Sequence, residues 1–160
     1  MLRFLKRFLF PIIITILVIT IFCLFNLAGG QYDGLSSFTV YELMFGAKLN
    51  NSVEFLNVSA VGVIVTILLI AGALLSWFDF KHDKLVLAII FCLVTIGIMF
   101  LPMAANKTEV ASYQVRMKEA NADGFMTILV GTYVTAAISL VISCFVLFKT
   151  KFNSLFRITK

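Results

Sequence analysis

Four long runs of apolar residues alternate with polar segments along the chain. The runs cover about residues 8–28, 56–78, 85–103 and 124–148, and none of them holds an Asp, Glu, Lys, Arg or His. A helix of about 20 apolar residues crosses the hydrocarbon core of a bilayer. The pattern therefore predicts an all-α membrane protein, a four-transmembrane-helix bundle of two antiparallel hairpins that forms a single domain over residues 1–160.

Small residues recur at every fourth position of the last run and also thin the second run. They are Gly131, Thr135, Ser139 and Ser143 in the last run, and Gly62 and Gly72 in the second. Residues four apart share one face of a helix, and small side chains let helix backbones approach closely in a membrane. We predict helix-packing positions, because membrane Ser and Thr hydroxyls bond their own turn or a neighbouring helix. A polar conduit or ligand groove lined by these hydroxyls is the alternative.

The first long connection, residues 29–55, is predicted to hold a short interfacial helix. Thr39 is followed three residues later by Glu42, which is the pattern of a capping box, and Gly46 supplies a stop. A strand is the competing interpretation, because Phe38–Tyr41 is rich in strand-forming residues.

The second long connection, residues 104–123, has the apolar spacing of an extramembrane amphipathic helix. Both connections would lie outside the cell and carry aromatic or apolar residues suited to the membrane boundary. The predicted partner surface comprises Phe38, Tyr41, Phe45, Tyr113 and Met117.

The composition agrees with a membrane protein. The chain is 61% hydrophobic and 13% charged, with a mean hydropathy of +1.06, whereas soluble domains have about 45–50% apolar and about 25% charged residues. The net charge of +5 does not indicate a nucleic-acid partner, because the basic residues flank the apolar runs instead of clustering on a polar domain. The expected partners are the lipid bilayer and either another membrane protein or a second copy.

The distribution of basic residues predicts the orientation. If both termini are cytoplasmic, nine of the 13 basic residues lie inside, next to helix ends, as the positive-inside rule requires. The nine are Arg3, Lys6, Arg7, Lys81, Lys84, Lys149, Lys151, Arg157 and Lys160. The three at the start and the four in the basic cytoplasmic tail, residues 149–160, are expected to contact anionic lipid.

The first apolar run also raises the question of a secretory signal. Its apolar core is longer than a signal peptide needs, and Asn26-Leu27-Ala28 is a poor cleavage site. We expect the run to be kept as the first helix, with Pro11 in its first turn, where a missing N–H costs little.

Candidate catalytic and metal chemistry is sparse. Asp79, His82 and Asp83 have a spacing that could collect a metal ion on a helix, but Lys81 and Lys84 are interleaved and a solvated turn is favoured. Ionisable residues inside spans usually mark functional sites, and these runs have none. We therefore predict no enzyme activity, no metal and no cofactor.

Each of the three cysteines lies inside an apolar run. They are Cys23, Cys92 and Cys144, and no disulfide framework is implied. We predict that they are buried and act as small hydrophobic residues. Tyr133 also lies well inside its run, so its hydroxyl should find a partner.

The overall plan of two membrane hairpins with cytoplasmic termini is similar to claudin-like tetraspans. Claudins carry the motif W-GLW-C-C in the first external loop, whereas residues 29–56 contain neither Trp nor Cys, and the CCG of tetraspanins is also absent. Gly34–Ser36 and Glu42–Gly46 resemble small four-span membrane proteins of Gram-positive-type bacteria over about a dozen residues. That resemblance implies a bacterial plasma membrane and no particular activity.

These observations favour a non-enzymatic membrane protein that acts through helix packing. It would be an accessory subunit of a membrane complex or a self-associating tetraspan. The alternative is a small oligomeric channel or transporter component, with the hydroxyls of the fourth helix lining its route.

Overall fold

A computed structural model describes residues 2–31, 37–49, 53–78, 82–104 and 127–148. For residues 2–7, 49, 53–55 and 127 it describes the backbone alone. The chain is mostly helical in these ranges. Its elements in chain order are α1 (Leu2–Leu24), β1 (Ala28–Gln31), β2 (Phe38–Thr39), α2 (Val40–Phe45), β3 (Ala47–Leu49), β4 (Val53–Leu56), α3 (Ala60–Leu75), α4 (Asp83–Ala104), β5 (Thr127–Ile128) and α5 (Val130–Leu147).

The four longer helices pack side by side, each antiparallel to its neighbours. Helix α4 packs on α3 and most extensively on α5, while α1 lies against α5 and α3. The core is built from large apolar side chains that point between the helices, among them Phe10, Ile14, Ile21, Leu69, Leu87, Phe91, Ile98 and Ile142. Because the helices alternate in direction, the end of α1 meets the starts of α3 and α5.

The strands form a cap at that end of the bundle, which we call the capped end. Strands β2, β1 and β5 form a three-stranded antiparallel sheet in that order, and β3 pairs with β4. Strand β1 follows α1 and β5 precedes α5, with Gly30 opposite Ile128 and Gln31 opposite Thr127. The sheet therefore ties α1 to α5 through backbone hydrogen bonds.

The helices differ in length. Helices α4 and α5 are long and apolar enough to cross a membrane. Helix α3 has 16 residues, and the apolar part of α1 covers Phe8–Leu24. These lengths correspond to about 24–26 Å at 1.5 Å per residue, which is short of the ~30 Å of a typical hydrocarbon core.

The boundaries of the first and last long helices differ from the sequence expectation. Helix α1 ends at Leu24 and α5 begins at Val130, because residues 28–31 and 127–128 pair as strands instead of extending the helices. Gly29 and Gly30 also weaken helix formation there. At its other end α1 already begins at Leu2, so Pro11 stands in the helix interior and not in the first turn.

The short helix α2 has the capping box that the sequence predicts. The Glu42 amide donates to Thr39 Oγ1 at 3.2 Å, and Glu42 Oε2 accepts from the Thr39 amide at 2.7 Å. The helix stops at Gly46, whose φ of 89° favours glycine. Helix and strand both occur in this segment, since Phe38–Thr39 forms β2 and Val40–Phe45 forms α2.

Candidate functional site

The four-residue ladder of α5 faces the inside of the bundle, and its two serines lie in the seam between α4 and α5. Gly131, Thr135, Ser139 and Ser143 are all buried. Ser139 Oγ donates to the Phe91 carbonyl at 3.0 Å, and Ser143 Oγ donates to the Ala88 carbonyl at 2.9 Å. The neighbour of the ladder is thus a helix of the same chain, and the two serines hydrogen-bond directly to its backbone.

The two threonines near the start of α5 donate hydrogen bonds to different partners. Thr135 Oγ1 donates to the Gly131 carbonyl at 2.8 Å, so it bonds its own helix. Thr132 Oγ1 donates to the Gly29 carbonyl at 2.8 Å, across from β1. Sequence reasoning did not single out Thr132, because it stands one position away from the ladder and its partner lies 103 residues away in sequence.

Gly131 lies against the backbone of the segment that follows α1. A Cβ atom at this position would overlap the carbonyl oxygen of Ala28 and would come within 2.9 Å of Leu27 Cβ. Because the obstacle is backbone held in a sheet, the overlap cannot be relieved by a rotamer change. Glycine is therefore needed here for close approach.

The two glycines of α3 have different neighbours. A Cβ at Gly62 would meet Met44 Cα at 2.5 Å, so α2 lies directly on the start of α3. A Cβ at Gly72 would meet the ring of Phe91 on α4, at 2.9 Å from its Cζ. Gly62 thus makes room for the backbone of α2, whereas Gly72 makes room for side chains of α4, Phe91 and Ile90.

The polar groups inside the bundle are paired. Within the described residues, no buried side-chain nitrogen or oxygen lacks a hydrogen-bond partner. Thr66 and Thr95 donate to carbonyls four residues earlier in their own helices. The hydroxyls of α5 that a conduit would need are thus engaged by carbonyls of the same chain.

The outer surface of the bundle is apolar. Many of its large aliphatic side chains are about half exposed, including Ile16, Ile19, Ile64, Ile67, Leu74, Ile89, Ile96, Leu140 and Val141. Large isoleucine and leucine side chains thus face outward as well as inward, while the hydroxyls of Thr132, Thr135 and Ser139 are buried.

The exposure of the three cysteines and the position of Tyr133 differ from the sequence expectation. Cys23, Cys92 and Cys144 are exposed on the outer surface, not buried. They point outward because the inner face of each helix is filled by larger apolar residues or hydroxyls. Tyr133 is 51% exposed on the outer face of α5, and it lies in the first turn because α5 begins at Val130.

The predicted partner surface is divided by the structure. Tyr41 is 53% exposed, and its ring centroid lies 4.9 Å from that of the partly buried Phe45. Phe38 is only 4% exposed, because β2 turns it into the protein, so it offers no surface to a partner. Tyr113 and Met117 lie outside the described residues.

The charged candidates give no metal site among the described residues, which contain no group of three or more His, Cys, Asp or Glu able to hold an ion. His82 is exposed, and the buried Asp83 accepts from the Lys84 amide at 2.8 Å. Asp79, Lys81 and the tail residues Lys149, Lys151, Arg157 and Lys160 lie outside the described part. Arg3, Lys6 and Arg7 are described as backbone of α1 only.

No family model, no curated protein and no solved structure matches this chain.

Proposed function

We propose that this protein is a non-enzymatic four-helix integral membrane protein that works by helix packing, either as an accessory subunit or by self-association. One observation carries the proposal. The buried hydroxyls are all paired within the described chain, while the outward faces of all four long helices carry large apolar side chains. That distribution suits a bundle whose solvent is lipid.

The energetics favour this interpretation. Soluble monomers rarely expose contiguous apolar patches larger than a few hundred Å², and each aliphatic side chain left in water forgoes about 1.5–3 kcal/mol relative to full burial. The outward residues Ile64, Ile67 and Leu74 on α3 are each 56% or more exposed. A bilayer around the bundle removes that penalty without any further protein contact.

Two further features support four spans with both termini cytoplasmic; the bacterial plasma membrane is proposed from the sequence resemblance alone. The polar backbone groups of the strand cap begin where α1 ends and where α3 and α5 start, so all four helices share one depth range. Of the nine basic residues that the positive-inside rule counts as cytoplasmic, Arg3, Lys6 and Arg7 at the start of α1 and Lys84 at the start of α4 are described, and they lie at the opposite end. The capped end would then face outward.

The structure also limits where a partner could bind. Ser139 and Ser143 of the ladder already contact α4 and Gly131 contacts the segment after α1, so we propose that an accessory-subunit or self-association contact uses the outer faces or the capped end. Tyr41 and Phe45 lie there beside a shallow groove lined by Lys48, Asn57 and Val58. We assign the partner contact to this aromatic pair and groove.

Native-like purification tests the proposal. Two differently tagged copies are expressed together, extracted into nanodiscs and analysed by mass. We expect either co-purification of both tags or one additional membrane protein bound to the 17.8 kDa chain, and Tyr41→Ala should weaken that association. Ile67→Ala, which alters an exposed side chain far from the cap, is the matched control. A monomer without any bound protein, together with solute flux in reconstituted vesicles, would favour a channel instead.

A further inference from the structure

On three helices the apolar surface extends over a shorter distance along the helix axis than the thickness of a typical hydrocarbon core. Helix α3 has 16 residues and α5 has 18, which correspond to about 24 and 27 Å of rise. Along α4 the exposed apolar side chains extend from Leu85 to Met103, again a rise of about 27 Å. A typical bilayer has a hydrocarbon core of about 30 Å.

Exposed aromatic side chains stand at both ends of this surface. Tyr133 is 51% exposed in the first turn of α5, and Phe148 is 56% exposed directly after its last turn. Trp77 is 46% exposed just beyond the end of α3. Tyr and Trp prefer the level of the lipid headgroups. The rise from Tyr133 to Phe148, which is apolar and marks the end of the exposed apolar surface of α5, is about 22 Å.

Polar groups at both ends limit how much of the bundle can lie in the hydrocarbon core. At the capped end, β2 and β5 are the edge strands of their sheet, and open sheet edges do not occur in hydrocarbon. At the opposite end, exposed His82 and the buried carboxylate of Asp83 stand at the start of α4. The bundle therefore meets polar limits on both sides of its apolar surface.

We propose that the bundle is matched to a hydrocarbon layer of about 22–27 Å, thinner than that of a typical bilayer, and selects phospholipids whose acyl chains form such a layer. This inference rests on the proposed membrane function. A thicker bilayer would have to thin around the protein, at a cost of fractions of a kcal/mol per Å.

Trp77 provides the readout, because it is the single tryptophan of the sequence and faces outward. The protein is reconstituted in phosphatidylcholines of graded chain length, mixed with brominated analogues that quench tryptophan on contact. Competition between lipids gives the relative association of each chain length. We expect strongest association with layers of about 22–27 Å and at least a threefold loss in layers near 35 Å. Equal association across the series, or strongest association at 30 Å or above, would overturn the inference.

A second variant separates this inference from the proposed function. In the double variant Trp77→Phe and Ile67→Trp, the reporter moves about 15 Å towards the middle of α3, to a position that is 59% exposed. Bromines near the bilayer centre should quench the new tryptophan more strongly than they quench Trp77. If neither tryptophan is quenched by any lipid, the membrane function itself fails. If both are quenched but no chain length is preferred, only the thickness match fails.

Discussion

The two sides of α5 are held by different kinds of contact. On the α4 side, Ser139 and Ser143 donate hydrogen bonds to the carbonyls of Phe91 and Ala88, and the contact is the most extensive in the bundle. On the α1 side the contact is made by large apolar side chains. There the Phe10 ring stacks on Phe145 with centroids 5.6 Å apart.

Under the proposed membrane function, this difference indicates how the arrangement of the helices is specified in lipid. Apolar side chains gain little from leaving a lipid that is equally apolar, so close packing and hydrogen bonds determine which helices meet. The segment that follows α1 is hydrogen-bonded at the cap, where the Phe25 carbonyl accepts from the Tyr41 amide at 2.8 Å and the Leu27 carbonyl from the Val40 amide at 3.0 Å. Helix α1 itself also accepts a hydrogen bond from Trp77 Nε1, at Thr15 Oγ1 and 3.2 Å. The cap positions α1, whereas the serines position α4 against α5.

Gly131→Leu has the largest expected effect on the stability of the bundle, because it disrupts the contact between α5 and the cap. The new side chain would overlap the Ala28 carbonyl, which is held by the sheet, and we expect a loss of about 3 kcal/mol or more in the free energy of unfolding. Reversible unfolding in mixed detergent micelles measures it. Ala137→Leu on the exposed face of the same helix is the control and should stay near the wild-type value. A stable Gly131→Leu protein would show that α5 does not meet the cap closely.

Replacing Gly62 or Gly72 of α3 by alanine should lower the free energy of unfolding by different amounts. Gly62→Ala would press on the Met44 backbone, and we expect it to cost about 1–3 kcal/mol. Gly72→Ala meets side-chain atoms of Phe91 and Ile90 and no backbone, so we expect a smaller loss, of about 1 kcal/mol. Thermal unfolding of both variants in nanodiscs gives the order. The reverse order would contradict the placement of α2 on α3.

Truncation of a buried α1 side chain tests how little apolar burial contributes in lipid. Ile14 is fully buried, and Ile14→Ala in a soluble core would cost about 2–5 kcal/mol. In a bilayer the unfolded helix still lies in lipid, so the transfer contribution is lost and we expect only about 1 kcal/mol. Ile16→Ala, at a 56% exposed position, is the control. A loss of 3 kcal/mol or more would point to water as the solvent.

The serine hydrogen bonds should give the smallest effects. We expect Ser139→Ala and Ser143→Ala each to cost about 0.6 kcal/mol, the average for interhelical hydrogen bonds in a membrane protein. The exposed Thr20 Oγ1 donates only to the Ile16 carbonyl of its own helix, so Thr20→Ala should leave the free energy of unfolding unchanged. If all three variants changed the free energy of unfolding equally, the serine hydrogen bonds would contribute nothing specific to the contact between α4 and α5.

The sequence predicted the local features of the fold better than the long-range ones. The capping box at Thr39 and Glu42 is confirmed because it depends on residues three apart. The strands β1 and β5 were missed, since the runs around Gly30 and Ile128 show no alternation and their pairing joins segments about 100 residues apart. The pairing of β3 with β4 was missed as well, because Ala47, Lys48 and Leu49 are not typical strand-forming residues.

Orientation around a helix was the harder part of the candidate site. The ladder positions on α5 are small, and small residues are chosen where backbones approach, which made them recognisable. The cysteines were wrongly expected to be buried, because a small side chain inside an apolar run gives no sign of which face it occupies. Tyr133 was misplaced by the helix boundary, which is set by the pairing of β5 and not by local preference.

Labelling of Cys92 tests the central claim most directly. This thiol lies in the middle of α4 and is exposed on the outer surface of the chain, so in a water-soluble bundle a maleimide would reach it at once. Thiols react as thiolates, which form in water and not in hydrocarbon. In native membranes, with Cys23 and Cys144 changed to Ser, we expect no labelling of Cys92 until the membrane is dissolved in denaturing detergent. Rapid, complete labelling in intact membranes would contradict a lipid-embedded bundle.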